Sequence, residues 1–505
     1  MEKRMVLAIA LSLGVLLIWS VLMPKPQSVV VQDVMSKEAL LNKQNPLPLA
    51  DMTQLAKPES ESFVKYEQSN LEVIFYERLA ALKEVIFKSY GNHSFPLKYG
   101  LLLNDPKLEF KKSQITEDSI SFVAVSPGRR ITKKFKFNKS NYTIDLEIII
   151  QNLSSVPLKL ETSLLLGIID LSSKNSQVRY QDLTVAMQDK TIHMGINKDT
   201  EQSGIKFLGF RDQYFAAILE PVVNNASIFV NKLSKQESEI GLNVQTENVP
   251  SGGQIGHLYH IYIGPQDVSI LNVINPAWSA LVHYGTFDVI SQILLQALGF
   301  LHKIVHNWGL AIILLSILVY LILYPLSIKQ MRSMKEMQVL QPKVEELRKA
   351  YKDNPQKMNQ EIMALYKEHK VNPLGGCLPL LLQMPIFFAL YNALMRSIVL
   401  KGAKFLWIND LSEPDRLIIF PKALPILGSD LNILPIIMAI GMFVQQKISS
   451  ASSSGTSAEQ QKIMLIVMPV MFGLIFYRMP SGLVLYWFVN STLMLIFQMR
   501  MNRAR

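Results

Sequence analysis

Two kinds of hydrophobic pattern divide this chain. Between residues 63 and 285 apolar and polar positions alternate. Tyr142, Ile144, Leu146, Ile148 and Ile150 are interleaved with Thr143, Asp145 and Glu147, the period-two mark of a strand with one buried face. Residues 131–137 are placed to pair with it across Asn138-Lys139-Ser140-Asn141. Further short strands are expected at 205–210, 226–233 and 258–263. With little helical period among them, residues 63–285 read as one all-β sandwich. Elsewhere the apolar residues run on without alternation, at 5–23 within an anchor at 1–23, and at 308–326, 378–395, 431–447, 463–477 and 482–498. A bilayer core is crossed by about 20 apolar residues as a helix, so these are six candidate spans. Pro325, Pro379, Pro385, Pro435 and Pro469 lie in them or at their ends, and proline is tolerated there because neighbouring groups re-satisfy the freed carbonyls.

The first run follows Lys3 and Arg4 and has no small-x-small cleavage site after it, so it reads as an uncleaved anchor rather than a signal peptide. Polar residues 24–62 read as a linker without a core. Residues 286–306 have a helical period. Asp288, Ser291, Gln292, Gln296, His302, Lys303 and His306 fall on one face, while Ile290, Ile293, Leu294, Ala297, Leu298, Leu301, Ile304 and Val305 fill the other. That is the pattern of an amphipathic helix lying in a membrane interface, or of one packed on the β-domain.

Charge orients the spans. Residues 328–376 carry Lys329, Arg332, Lys335, Lys343, Arg348, Lys349, Lys352, Lys357, Lys367 and Lys370, which places this segment, and the basic tail 500–505, on the cytoplasmic side. Both termini are then inside and the β-domain outside. Within the basic segment, Met337, Leu340, Val344, Leu347 and Tyr351 form one stripe and Met358, Ile362, Leu365 and His369 another. Asn354 and Pro355 between them suit an N-cap and first helical position, so two antiparallel helices are expected. Met331, Met334, Met337, Met358 and Met363 are adaptable apolar surface, fitted either to dock hydrophobic clients or a ribosome, or only to fill the seam of the hairpin. Its basic side, with Lys343, Arg348 and Lys349, has a second reading as attraction to anionic lipid.

Composition agrees with the membrane reading. Charged residues are 18% of the 505, and mean hydropathy is +0.20, which excludes a disordered chain and argues against an ordinary soluble enzyme. Lys and Arg exceed Asp and Glu by 51 to 40, leaving +11. The one cysteine, Cys377, excludes an intrachain disulfide and a Cys-based zinc cluster. Leu374-Gly375-Gly376-Cys377 has the letters of a lipoprotein box but lies far from any N-terminal signal. The eight His residues show no metal spacing, and no P-loop or nucleophile elbow is present. Neither a catalytic group, a cofactor, a metal nor specific nucleic-acid binding is expected.

Intramembrane charges would mark an ion or proton pathway, and the spans have essentially none. They carry uncharged polar groups instead, among them Ser316, Tyr320, Gln383, Asn392, Tyr486, Trp487, Asn490 and Ser491. Each alone reads as a helix-helix hydrogen bond or an interfacial aromatic. Ser316, Tyr320, Gln383, Asn490 and Ser491, from three different spans, are together a candidate polar lining, but periodicity does not say whether they face one another.

Several strings carry a resemblance: NWGLAIILLSILVYLILYPLS (307–327), LQPKVEELR (340–348), MALYKEHKVNPLGGCLPLLLQMPIFFALY (363–391), LWINDLSEPD (406–415), QQKIMLIVMPVMF (460–472) and PSGLVLYWFVNS (480–491). In order and spacing, residues 300–499 resemble the YidC/Oxa/Alb family of membrane-protein insertases. KFKFNKSNYTIDLEIIIQN (134–152) and DQYFAAI (212–218) are similar, more weakly, to the large periplasmic domain of its Gram-negative members, a β-supersandwich akin to galactose-mutarotase folds. The resemblance implies a multi-pass α-helical protein of the bacterial inner membrane with a five-helix insertase core at 307–499. It implies a hydrophilic groove open to cytoplasm and lipid, with Ser316, Tyr320, Gln383, Tyr486, Trp487, Asn490 and Ser491 as groove or client contacts. Implied partners are nascent inner-membrane proteins, the Sec translocon with its accessory subunits, the ribosome and signal-recognition machinery, and phospholipid. One departure stands out: the family usually has an arginine in the groove where this chain has Tyr320, so hydration rather than charge is expected to serve the client. The competing classes are a chaperone acting only beside the Sec translocon, a secondary transporter and a membrane-anchored carbohydrate-active protein.

Overall fold

The described residues of the period-two segment form seventeen strands. The structure is a computed structural model. It describes residues 62–503 except 96, 106–107, 173–177, 197–198, 223–225, 353, 370, 372–377, 425–427 and 451–457. The anchor expected at 1–23 and nearly all of the linker lie outside the described residues. In chain order the strands are β1 (Phe63–Glu67), β2 (Leu71–Tyr76), β3 (Ala81–Phe87), β4 (His93–Phe95), β5 (Lys111–Ile115), β6 (Ser119–Ser126), β7 (Arg129–Phe137), β8 (Thr143–Asn152) and β9 (Leu158–Asp170). They continue as β10 (Asp182–Met187), β11 (Thr191–Met194), β12 (Thr200–Ser203), β13 (Ile205–Arg211), β14 (Phe215–Pro221), β15 (Ala226–Lys232), β16 (Glu237–Val249) and β17 (Gln254–Pro265). A nine-stranded sheet runs β11-β10-β13-β14-β17-β8-β7-β6-β5, with four-stranded sheets β1-β2-β3-β4 and β12-β15-β16-β9 beside it.

β7 and β8 pair antiparallel with Ile131 opposite Ile150 and Phe137 opposite Ile144. Ile144, Leu146, Ile148 and Ile150 are all buried, so the alternation in the sequence is the alternation of the pleat. Aromatic pairs hold β1–β4 against the large sheet, Phe75 lying 5.4 Å from Phe122 and 5.0 Å from Phe135, and Phe87 4.2 Å from Phe215. One inward position of β7 is Lys133, fully buried. Its Nζ donates to the carbonyls of Ala80 at 2.5 Å and Leu101 at 2.6 Å, and burial pushes its amine down to about 7. A neutral amine has two N–H groups, which match the two carbonyls. Arg211, also buried, donates through Nε and Nη2 to both oxygens of Asp182 at 2.7 and 2.9 Å, and through Nη1 to the His283 carbonyl at 2.9 Å.

A short helix, α1 (Val268–Ile274), capped by the Asp267 side chain, follows the last strand. The chain divides into two units, Met1–His283 and Tyr284–Arg505. The second is helical: α2 (Asp288–Val305), α3 (Trp308–Ala350), α4 (Pro355–Glu368), α5 (Leu378–Met395), α6 (Ile433–Ser450), α7 (Ala458–Phe476) and α8 (Ser481–Arg503). Among the described residues, three segments are long and apolar enough to cross a membrane, Gly285–Val305, Trp308–Ile328 and Ser481–Arg500; Ile433–Ile448 and Leu465–Phe476 are apolar but shorter.

Two sequence expectations change here. The span at 308–326 and the first arm of the basic segment form one continuous helix, α3, which passes through Pro325 and Pro342. The polar face assigned to 286–306 also breaks up. Ser291 is fully buried, and its Oγ donates to the Ala389 carbonyl of α5 at 2.9 Å. Leu294 and Leu298 are buried beside it, while Val289, Ile293, Phe300 and Ile304 are exposed. A serine facing a carbonyl on another helix reads as surface in a periodicity plot, because polarity alone does not say what satisfies it.

The 396–432 segment ties helix ends together. Asp415 Oδ2 accepts from the backbone N–H of Ile433 and Leu434 at 2.9 and 3.0 Å, capping α6, and from Trp407 Nε1 at 3.1 Å. Asn432 Nδ2 donates to the Tyr477 carbonyl beyond α7 at 2.8 Å. The N–H groups of Ser481 and Gly482, at the start of α8, donate to the Glu413 and Leu411 carbonyls. At the start of α3, Gly309 leaves room for the Phe405 ring, which a Cβ there would meet at 2.1 Å. The segment also contains a small hairpin, β18 (Ile418–Leu424) with β19 (Gly428–Leu431).

Candidate functional site

Two contacts set the register of α3 against α8. Ile312 Cδ1 lies against Gly482, where an added Cβ would sit 3.2 Å from it. Further along, the Tyr324 and Phe497 rings are 5.1 Å apart. The two helices therefore run side by side in the same direction. Counting one turn from the 312/482 contact puts Ser316 level with Tyr486, and two turns puts Tyr320 level with Asn490. α5 joins at the same level: Gln383 Nε2 donates to the Tyr486 hydroxyl at 2.8 Å. Among these residues the hydrogen bond between helices is Gln383–Tyr486; Ser316 and Tyr320 come near its level only by the count along α3 and α8.

These residues differ in how committed they are. Ser316 is fully buried and donates to the Ile312 carbonyl of its own helix at 2.8 Å. Asn490 donates to the Tyr486 carbonyl at 3.1 Å, and Ser491 Oγ to the Trp487 and Phe488 carbonyls at 3.0 and 2.9 Å. Such back-bonding keeps a hydroxyl or amide quiet in an apolar setting. Tyr320 is the exception. Its ring packs 6.2 Å from Tyr324, and its buried hydroxyl makes no hydrogen bond among the described residues. Trp487 lies in an aromatic cluster, stacked on Phe472 at 5.7 Å and edge-on to Phe387 at 5.1 Å, with Phe476 5.3 Å away. Phe387, Phe472 and Phe476 were not singled out in the sequence. Their i, i+4 spacing at 472 and 476 is the one signal that was available.

The basic segment forms a helix pair. The Asn354 side chain accepts from the Lys357 N–H and Pro355 opens α4. Lys343 Nζ lies 3.4 Å from His369 Nε2, so α4 runs back along α3. Leu340 and Val344 are buried in the seam, Met358 is half-buried, and Met363 is 46% exposed. Lys343, Arg348 and Lys349 lie on the exposed side. The side chains of Met331, Met334 and Met337 are outside the described residues. Also among the described residues, no group of three or more His, Cys, Asp or Glu is placed to hold a metal ion.

A β-sandwich joined to a bundle of apolar helices with a hydrogen-bonded polar pair inside defines a polytopic membrane protein with a large folded extramembrane domain. Residues 300–505 match the family model described as 60Kd inner membrane protein, and residues 87–297 that of the YidC periplasmic domain. A relative from Syntrophus aciditrophicus (strain SB), "Membrane protein insertase YidC", is 34% identical over 565 aligned residues that cover 100% of each chain. One of the same name from Syntrophobacter fumaroxidans is 36% identical, over 78% of this chain and 72% of its own. A crystal structure of an active YidC insertase with its first transmembrane domain resolved is 21% identical, has a TM-score of 0.40, and covers 89% of this chain and 96% of that one. The chain belongs to the YidC family of membrane protein insertases.

Proposed function

We propose that this protein inserts and helps fold inner-membrane proteins, alone or beside the Sec translocon, and that the layer of Ser316, Tyr320, Gln383, Tyr486 and Asn490 is the wall of its hydrophilic groove. The observation that carries the reading is the hydrogen bond from Gln383 of α5 to Tyr486 of α8 inside otherwise apolar helices, with Ser316, Tyr320 and Asn490 on neighbouring turns by the helix count. A polar client segment crossing ~30 Å of hydrocarbon would leave its backbone groups unsatisfied, at several kcal/mol each. Polar partners partway along shorten that dry path. Burial of the client's own apolar span then drives the reaction forward, so no nucleotide need be hydrolysed and the protein acts without catalysing covalent chemistry.

In this reading both termini and the α3–α4 hairpin are cytoplasmic, the hairpin being the docking surface for clients, the ribosome or signal-recognition machinery. The β-sandwich is periplasmic, and the anchor at 1–23 supplies the sixth span. The aromatic cluster around Trp487 gives the client's apolar segment a surface beside the polar layer.

The test is insertion of a short-tailed two-span client into liposomes that contain only this purified protein. Protease protection of the client's translocated loop above the level of empty liposomes is the expected result. Protection no greater than that background sinks autonomous insertion and leaves a chaperone working beside the Sec translocon.

A further inference from the structure

The segment that ties the helix ends together carries an apolar surface that this tying does not use. Leu406 is 75% exposed and Ile419 68%, with Trp407, Leu417 and Ile418 also exposed. Ile418 and Ile419 are neighbours on β18, so their side chains leave opposite faces of the β18–β19 ribbon. A ribbon with one wet face alternates apolar and polar residues; here both faces are apolar at the same level. The surface is built rather than loose. Leu406 is held at φ 51°, a left-handed conformation disfavoured for leucine, and Trp407 is pinned by the carboxylate oxygen of Asp415 that caps α6.

Two observations say what covers this surface. First, it continues the helix faces that meet lipid if the bundle spans a bilayer. Asn307 Nδ2 approaches the Lys404 carbonyl at 3.4 Å, which sets the 404–408 turn at the start of α3, near exposed Leu310. Asp415 sets the hairpin at the start of α6, whose Ile436, Ile440 and Val444 are exposed. Second, the apolar stretch of α6, Ile433–Ile448, is about 24 Å long at 1.5 Å per residue, short of the ~30 Å of a hydrocarbon core. An apolar cap at its N-terminal end makes up the difference.

We propose that the cap is immersed in the leaflet on its own side, with Leu406, Trp407, Leu417, Ile418 and Ile419 among the acyl chains, and that its partner is the lipid itself. Exposed Lys404 and Lys422 then reach headgroup phosphates with their long stems, and Trp407 takes the position favoured by an interfacial indole. The proposal rests on the reading of the helical unit as membrane-embedded, and the experiment separates the two.

Because Cys377 is the one cysteine, a Cys377→Ser background accepts single nitroxide labels at Leu406→Cys and Ile419→Cys. Ile440→Cys on α6 serves as the hydrocarbon reference and Lys235→Cys, on the exposed turn between β15 and β16, as the water reference. The full-length protein is reconstituted in phosphatidylethanolamine–phosphatidylglycerol vesicles, and collision with oxygen is compared with collision with a water-soluble nickel chelate. Labels at 406 and 419 are expected to resemble 440: several-fold less accessible to nickel than 235, and more accessible to oxygen. Nickel access at 406 and 419 equal to 235, with 440 still in hydrocarbon, overturns the immersed cap and leaves the membrane reading standing. Shielding from both reagents with dipolar broadening overturns it in favour of a second copy. Nickel access at 440 as well overturns the membrane reading itself.

Discussion

Lys133 in the β-sandwich and Tyr320 in α3 are both polar groups turned inward, yet their surroundings treat them differently. Lys133 meets two carbonyls, Ala80 and Leu101, and Arg211 meets both oxygens of Asp182 and the His283 carbonyl. Their hydrogen-bonding capacity is used up in holding the fold. In the helical unit Ser316, Asn490 and Ser491 are bonded to their own helices, Gln383 bridges to Tyr486, and the Tyr320 hydroxyl has no hydrogen bond among the described residues. Buried polar groups that serve structure alone are almost always paired. The β-sandwich too buries polar atoms that have no hydrogen bond among the described residues, at Gln181, Ser238 and Tyr259, so what sets Tyr320 apart is its place in an otherwise apolar helix.

The comparison breaks most easily at Arg211. Arg211→Met leaves Asp182 without its bidentate partner, and removal of one member of a buried ion pair costs about 3–5 kcal/mol. Denaturant unfolding of the full-length protein, followed by its β-sheet circular dichroism, should show a loss of that size. A loss below about 1 kcal/mol, the level of an exposed pair, would mean that the network does not hold the sandwich.

Lys133→Met should cost about 2 kcal/mol, because two buried carbonyls lose their donor. The more specific sign is in pH. The folded amine titrates at about 7, against 10.5 for an unperturbed lysine. Between those values the unfolded chain holds a proton that the folded chain lacks, so stability rises with pH through that window and is flat below it. The same unfolding experiment at about pH 7 and about pH 9 should show the rise in the parent and its loss in the variant. An equal slope in both would assign the titration to another group.

The bridge between α5 and α8 is a smaller quantity. A double-mutant cycle of Gln383→Leu and Tyr486→Phe should give a coupling of about 0.6 kcal/mol, the average that such cycles find for a hydrogen bond between membrane helices. Additive effects would show that the 2.8 Å contact does not couple the helices.

What could be read in advance follows the same division. β8 and its pairing with β7 were legible because a half-buried strand writes its pleat into the sequence, Ile144 to Ile150 against Asp145 and Glu147. Asn354 and Pro355 were legible because capping is local chemistry. Lys133 was not, since a lysine at an inward position looks like a break in the pattern until the carbonyls of Ala80 and Leu101 are beside it. The continuous α3 was not read in advance, although the tolerance of Pro325 was, because the apolar span and the basic arm on either side of it differ in composition and read as separate elements. The polar residues of these helices were identified one by one, but the register of α3 against α8 depends on Ile312 meeting Gly482 and Tyr324 meeting Phe497. Contacts more than 150 positions apart in the chain leave no mark in a local period.

Tyr320→Phe should change stability least and report on function most directly. Removing a hydroxyl that has no hydrogen bond among the described residues gives up no such bond and relieves the burial of a polar atom, so unfolding should move by no more than about 0.5 kcal/mol. If the groove depends on that hydroxyl to greet a client's polar segment or its water, protease protection in the liposome assay should fall severalfold while the protein remains folded. The paired readout matters, because Ser316, Asn490 and Ser491 cannot supply it: their removal also frees a helix carbonyl, and a fall in activity would then be confounded with altered packing. Undiminished insertion by Tyr320→Phe would put Tyr320 with the structural polar groups of the β-sandwich, and leave the Gln383–Tyr486 pair as the polar feature of the layer that joins two helices.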